Sequence, residues 1–387
     1  MNHDAVSRRD FLKRTAGAAA ALSFARAARA APAAEAPTLM YVGSFTKKDG
    51  GHGEGLSMYR RRGASDPWKL VDVIRELADP SFLITDRQKR FVYSSHGDGT
   101  HATAYRIDRA SGRLTVINRQ PTGGVNGAHL SLDPSGHFLA VANYASGTLA
   151  LLRVNDDGSL AAACDTQTMK GTPGPHRTQQ DSSHPHHCPF DRTGRFVVIP
   201  DKGLDKVFVF RLDPARGVLA PARPPDVASR PGAAPRHVDF HPTLACAYVI
   251  NELDSTITTY QFNPDAGVLK PIQIVPSLPP SYTGNNSGAE VVVAPSGRFA
   301  YGSNRGHDSI GIFGIDGTSG VLTPIGWEPT RGRTPRFFTL DPTGRSLYAA
   351  NQASDTIVIF DVNEATGKLT ATGEVLKVAT PTTIAFA

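Results

Sequence analysis

The sequence predicts an all-β fold, a single seven-bladed β-propeller with four antiparallel strands in each blade. Three observations predict it. A self-similar unit recurs along the chain, each copy carries the turn and strand signals of a small sheet, and the two chain ends supply complementary parts of one further unit.

The repeat is anchored on a turn. Its copies read TDRQKRFVYSS from Thr85, DPSGHFLAVAN from Asp133, DRTGRFVVIPD from Asp191, HPTLACAYVIN from His241, APSGRFAYGSN from Ala294 and DPTGRSLYAAN from Asp341. With Asp86 as the first anchor, the copies are spaced by 47, 58, 50, 53 and 47 residues. Asp-Pro-Ser-Gly has the residues that a tight turn demands, and each anchor lies between two short apolar runs. Further on comes an alternating β-rich run such as TLALLRV, KVFVFRL, TITTYQF, SIGIFGI or TIVIFDV. A second turn (SGRL, ARGVL, DAGVL, TSGVL, TGKL) and a weaker outer strand complete four strands per unit.

Six anchors give six blades, and the ends supply the seventh. LMYVGSFT, a long loop containing GGHGEG, GLSMYRR and WKLVDVI read as its second, third and outer strands. The closing segment Pro381–Ala387 copies the first strand of other units, such as PRHVDF and PRFFTL. N- and C-terminal strands thus close one blade and leave no open sheet edge. The propeller spans residues 39–387, behind a linker at 31–38.

Residues 1–30 read as a twin-arginine signal peptide. Ser7-Arg8-Arg9-Asp10-Phe11-Leu12-Lys13 is followed by an Ala-rich stretch and by Ala28-Arg29-Ala30, a small-x-small cleavage pattern. The twin-arginine export machinery is therefore an expected partner of the precursor. The mature protein is expected in the periplasm or secreted, with no membrane anchor after cleavage. Because this leader holds six basic and two acidic side chains, its removal lowers the formal charge from +6 to +2. The basic balance belongs mostly to the leader, so no nucleic-acid partner is expected. Cys164, Cys188 and Cys246 form no CxxC or CxxCH motif, which argues against attached haem and a zinc ribbon.

Register turns the repeat into a map of one surface. The first and second strands of a blade form a hairpin around the anchor, so the start of one and the end of the other meet at the opposite rim. Innermost strands surround the central channel, and these ends converge at its mouth. Five residues before the anchor stand His186, Arg236 and Arg336, and four before it His129, His187, His237 and Glu290. Ten after it stand His96, Asn143, Asp201, Asn251, Asn304 and Asn351, and eleven after it Lys202, Glu252 and Arg305. Turn satisfaction accounts for most of the Asn and Asp residues. It does not account for His186, Arg236, Arg336, Glu252 and Arg305 at shared register positions, which point to a ligand site.

The segments HPHHCPFDRTGRF, GAAPRHVDFHP, VINELDSTI, SNRGHDSI and TPRFFTLDPTGR resemble signatures of the seven-bladed propeller lactonases. That family includes propeller-type 6-phosphogluconolactonases and carboxy-muconate cyclases. The resemblance runs from YVGSFT at Tyr41 to the closing strand. It implies a lactone substrate and an active-site set of His, Arg, Glu and Arg, falling on His186 (or the adjacent His187), Arg236, Glu252 and Arg305. Strand phase with Arg236 favours His186. His187, His237, Glu290, Arg336, Asn251 and Asn304 are expected to contact substrate.

These residue types suit lactone hydrolysis. Arginines stabilise the oxyanion formed when water attacks the carbonyl, or hold a substrate carboxylate or phosphate. Glu252 or His186 can take the proton from water and return it to the ring oxygen. No cofactor is expected. The His184–Cys188 cluster invites a metal reading, but adjacent strand residues point to opposite faces, so no metal is expected either. The rival expectation is a non-catalytic binding or scaffold propeller using the same polar mouth.

Overall fold

A computed structural model describes residues 36–387, apart from Ser65 and Glu76. The expected leader and the first part of the linker lie outside the described residues. From Leu39 to Phe386 the chain forms seven antiparallel sheets, the blades of the propeller. Blade 1 runs outward as Pro381–Phe386, Leu39–Ser44, Leu56–Arg60 and Lys69–Ile74, so both chain ends share one sheet. Blade 2 starts with Pro80–Thr85, blade 3 with Gly127–Leu132, blade 5 with Pro235–Phe240, blade 6 with Ser287–Val293 and blade 7 with Pro335–Leu340. Blade 4 departs from the regular pattern. Its Phe196–Asp201, Lys206–Asp213 and Val218–Ala228 strands are continuous, but the innermost segment pairs only at Pro185 and Phe190. Proline at 185 and 189 removes two of the N–H groups a ladder needs.

Anchor turns form because the aspartate accepts hydrogen bonds from the chain returning past it. Asp133 Oδ1 accepts from Phe138 N and Asp191 Oδ1 from Phe196 N, both at 2.8 Å. At the fourth copy His241 Nδ1 accepts from Leu244 N at 2.8 Å and replaces the carboxylate. The core lies between blades rather than at one centre. Seven clusters of buried apolar side chains occupy the seven interfaces, for example Val42, Ile384 and Phe386 against Tyr348, Ile357 and Ile359 where blade 1 meets blade 7. Tyrosines on second strands tie one blade to the next. Tyr41, Tyr93, Tyr248 and Tyr301 donate to the carbonyls of Gly112, Gly158, Gly320 and Gly367 at 2.8 to 3.2 Å. No helix among the described residues is long and apolar enough to cross a membrane.

Candidate active site

The mouth is built where inner strands begin. Ala234, Thr334 and Thr380 enter these strands with φ of 57°, 58° and 47°, a left-handed backbone that non-glycine residues seldom adopt. Aspartates in the loops of preceding blades hold them there. Asp205 accepts from Ala234 N at 2.7 Å, Asp308 from Thr334 N at 2.7 Å and Asp355 from Thr380 N at 2.9 Å. Next comes a β-bulge, which drops Ser81, Ala128, Arg236, Arg336 and Thr382 out of the ladder with the second strand. In blade 4 His186 holds the matching place in the irregular segment. All six line one pocket of about 340 Å3, at the small end for ligand sites.

Second-strand ends supply the other wall. Lys202, Glu252 and Arg305 reach the pocket from three successive blades, and Tyr144 occupies the same register position in blade 3. Phe45, Lys48 and Asp49 come from the long loop of blade 1, and Gln179 from the segment before blade 4.

Glu252 sits at the centre of the charge. Its Oε1 lies 2.8 Å from Lys202 Nζ, and its Oε2 lies 3.1 Å from Arg236 Nε and 3.2 Å from an Arg305 terminal nitrogen. Burial alone would raise its ionisation, but Arg305, Lys202 and Arg236 override burial and hold it well below the usual carboxylate range. Such a carboxylate stays ionised and is a poor base. Arg236 and Arg305 are further fixed by donating to Ala289 O and Gly288 O. Arg336 differs, because its guanidinium has no side-chain acceptor among the described residues and only lies 5.0 Å over the Phe45 ring. The pocket wall therefore carries more cationic than anionic charge.

Aromatic rings floor the pocket. Phe82 packs on Phe337 at 5.7 Å and on His129 at 4.3 Å between centroids. His187 bridges His129 at 3.7 Å and His237 at 4.1 Å. Burial first, with Arg236 adding to it, keeps His186 and His187 neutral, and His237 is neutral through burial, His187 and Arg236.

The four residues of the expected catalytic set, His186, Arg236, Glu252 and Arg305, meet in this pocket, and Arg336 and His237 line it as well. His187 and Glu290 lie one layer deeper, against His237. Asn251 and Asn304 are corrections to the expected substrate contacts. They do not line the pocket. Asn251 donates to Thr256 and Thr258 hydroxyls at 2.9 and 3.0 Å, and Asn304 to Ser277 O at 2.8 Å, so both fasten strand ends. Alternation also fails at His186 and His187. Both contact His237, one through Nδ1 at 3.2 Å and the other by stacking, because the inner segment of blade 4 is irregular here.

That geometry reopens the metal reading, since donor atoms of His187, His237 and Glu290 lie within 4.8 Å of one another. The donor set fits an ion poorly. His187 and His237 stack with 21° between their planes, so their in-plane lone pairs do not converge on one point. Both nitrogens of His237 are already engaged.

Tyr144, Lys202, Phe45, Lys48, Asp49 and Gln179 were not among the expected contacts. Tyr144 shares the register position of Lys202, Glu252 and Arg305, which could have found it. The loop residues carry no such signal.

Residues 39–386 match the family model of the lactonases with a seven-bladed β-propeller. The chain belongs to this lactonase family. It is 36% identical over 308 residues to a 6-phosphogluconolactonase of Bacillus subtilis, covering 78% of this chain and 84% of that one. A 6-phosphogluconolactonase of Formosa agariphila is 33% identical over 313 residues, covering 78% and 86%. Among solved structures, the periplasmic gluconolactonase of Pseudomonas aeruginosa superposes with a TM-score of 0.83 at 30% identity, covering 90% of this chain and 99% of that one. The protein is thus a lactonase, and its charged mouth is its candidate active site.

Proposed function

We propose that this lactonase is exported through its twin-arginine leader and hydrolyses a sugar lactone, with His186 as the base. The observation that carries the reading is the pairing of a neutral histidine with fixed cations in one small pocket. His186 Nε2 makes no hydrogen bond among the described residues, while Nδ1 is held by His237, so Nε2 is the nitrogen available to water. Glu252 is tied to three cations and serves as the counter-ion that spaces them. Arg236 and Arg305, each fixed by Glu252 and a backbone carbonyl, face the developing oxyanion without reorganising. His186 takes a proton from water as it attacks the carbonyl, then returns one to the ring oxygen as the ring opens.

Relatives in Bacillus and Formosa are named for the phosphorylated gluconolactone, and the Pseudomonas structure for gluconolactone. An exported enzyme meets free aldonolactones more readily than a sugar phosphate, which favours the unphosphorylated class. Acid release from glucono-lactone, its 6-phosphate and a muconolactone tests this, with spontaneous opening subtracted. The same assay on periplasmic and cytoplasmic fractions locates the activity. Wild type should turn over a sugar lactone in the periplasmic fraction. A folded His186→Gln variant should lose about 100-fold or more, the usual worth of a general base. Background rates on every lactone by folded wild type would leave a binding propeller as the better reading.

A further inference from the structure

At the pocket floor begins a line of three titratable side chains, of which the hydrolysis above uses only His186 as its base. His186 Nδ1 lies 3.2 Å from His237 Nε2, and His237 Nδ1 lies 2.8 Å from Glu290 Oε1. The three come from adjacent blades 4, 5 and 6 and are 7%, 2% and 4% exposed, so water does not compete for these bonds. Glu290 Oε1 also accepts from Val291 N at 3.2 Å, which fixes the carboxyl in place. Its Oε2 is buried and has no partner among the described residues. The line opens to the pocket at His186 and stops in the protein at Glu290.

We propose that His186, His237 and Glu290 form a proton relay that lets His186 act as base and then as acid without ever becoming an imidazolium. The proposal rests on the lactone-hydrolase reading of this pocket and adds where the proton goes.

The proton count closes. In the basic form Glu290 is a carboxylate, His237 carries its proton on Nδ1 and donates to it, and His186 carries its proton on Nδ1 and donates to His237 Nε2. Nε2 of His186 is then a free lone pair. When water attacks the lactone carbonyl, its proton bonds to His186 Nε2. The His186 Nδ1 proton passes to His237 Nε2, and the His237 Nδ1 proton passes to Glu290 Oε1. Glu290 is now a neutral acid, both histidines are neutral in the opposite tautomer, and His186 Nε2–H faces the pocket as a donor. Three reverse transfers deliver that proton to the ring oxygen as its bond to the acyl carbon breaks.

The surroundings favour a sink away from His186. Charged or titratable groups facing His186 are Arg236, Arg336, Lys202, Glu252, His237 and the Tyr144 phenol, a set whose charges are mostly cationic. Those facing His237 are His187, Arg236, His186, His129 and Glu290. Glu290 faces Arg236, Asp239, His237 and His187. An imidazolium at His186 would be buried among cations, whereas burial raises Glu290 to about 8, against the pull of Arg236, so it can hold a proton at neutral pH. Glu290 and His237 are positioning residues here, since the atom that meets water is His186 Nε2.

The test combines kinetics of Glu290→Gln with the ring tautomers of the wild type. In wild type, kcat/KM should rise with pH through a limb near 8, where Glu290 ionises and the relay reaches its basic form. Glu290→Gln should lose about 100-fold in kcat, keep KM within about threefold, and show no limb. Nitrogen NMR of histidine-labelled wild type should show His186 as the Nδ1–H tautomer above the limb and the Nε2–H tautomer below it. A folded variant that retains the limb and most of its rate overturns the relay, as does a His186 that becomes imidazolium or holds one tautomer throughout. The spectra need no variant to fold and no lactone to turn over. Failure of the relay is therefore distinct from failure of the hydrolase reading, which only the acid-release assay decides.

Discussion

Arg336 stands apart from Lys202, Arg236 and Arg305, whose charges converge on the Glu252 carboxylate, because it has no side-chain acceptor among the described residues. A cation without a protein partner in a ligand pocket is most useful against an anion that arrives with the substrate. A charge-assisted hydrogen bond is worth roughly 1.5–3 kcal/mol, about 10- to 150-fold in binding. Arg336→Ala should therefore raise KM for a phosphorylated or carboxylated lactone by about that factor and leave neutral glucono-lactone within about threefold. Equal changes for charged and neutral lactones would show that Arg336 only shapes the wall. At this scale much of the site was legible in the sequence. Charged residues at two register positions, with apolar residues between them, located His186, Arg236, Glu252, Arg305 and Arg336. Asn251 and Asn304 share the rim, but strand-end hydroxyls and carbonyls take their amides, which register alone does not reveal.

Strands explain both what could be read and what could not. Turn residues and alternation located the blades and the closure, because DPSG-type anchors and apolar runs are local signals. The bulges are not local signals. Their positions depend on pairing with the second strand, and they let successive residues face the channel where alternation allows one. For the same reason the grouping of His186, His187, His237 and Glu290 was hidden. The closing strand is the element whose removal tests the architecture. All six residues of Pro381–Phe386 are buried, and the strand pairs with the equally buried Leu39–Ser44. Deleting residues 381–387 empties the sites of Ile384 and Phe386 and bares a sheet edge. Large-to-small core changes cost roughly 2–5 kcal/mol each, so the loss should be at least about 4 kcal/mol, close to the lower end of a domain's whole stability. Circular dichroism should show the truncated chain unfolded or melting far lower, and a peptide of residues 381–387 should restore it. A truncated monomer melting within a few degrees of the full chain would show that closure contributes little.

For the whole molecule, the histidine-lined floor makes stability depend on pH. His129, His186, His187 and His237 are buried from the inner segments of three successive blades, and burial foremost lowers the ionisation of each, to about 3 for His187 and well below the usual value for the rest. A depressed group contributes stability that is present above its unfolded pKa near 6.5 and lost as pH falls toward its folded value. Glu290 has the opposite sign. Its raised ionisation gives stability that is present below the ordinary carboxylate value and lost as pH rises through about 8. Between roughly pH 6.5 and 4.5 these five groups alone give about four histidine protons gained by the unfolded chain and one extra held by the folded chain on Glu290, a net uptake of about three on unfolding. Each proton is worth about 1.4 kcal/mol per pH unit, so the contribution of these five groups to stability should fall by about 4 kcal/mol for each unit below 6. Glu252 adds to acid lability only at lower pH, where its own depressed ionisation is reached. Melting temperature and proton uptake, measured from pH 7.5 downward, check this. Glu290→Gln removes the opposing group and should steepen the slope by about one proton. A melting temperature that stays level to pH 5 would mean that the floor histidines take up protons in the folded state, and with that the neutral relay would lose its footing as well.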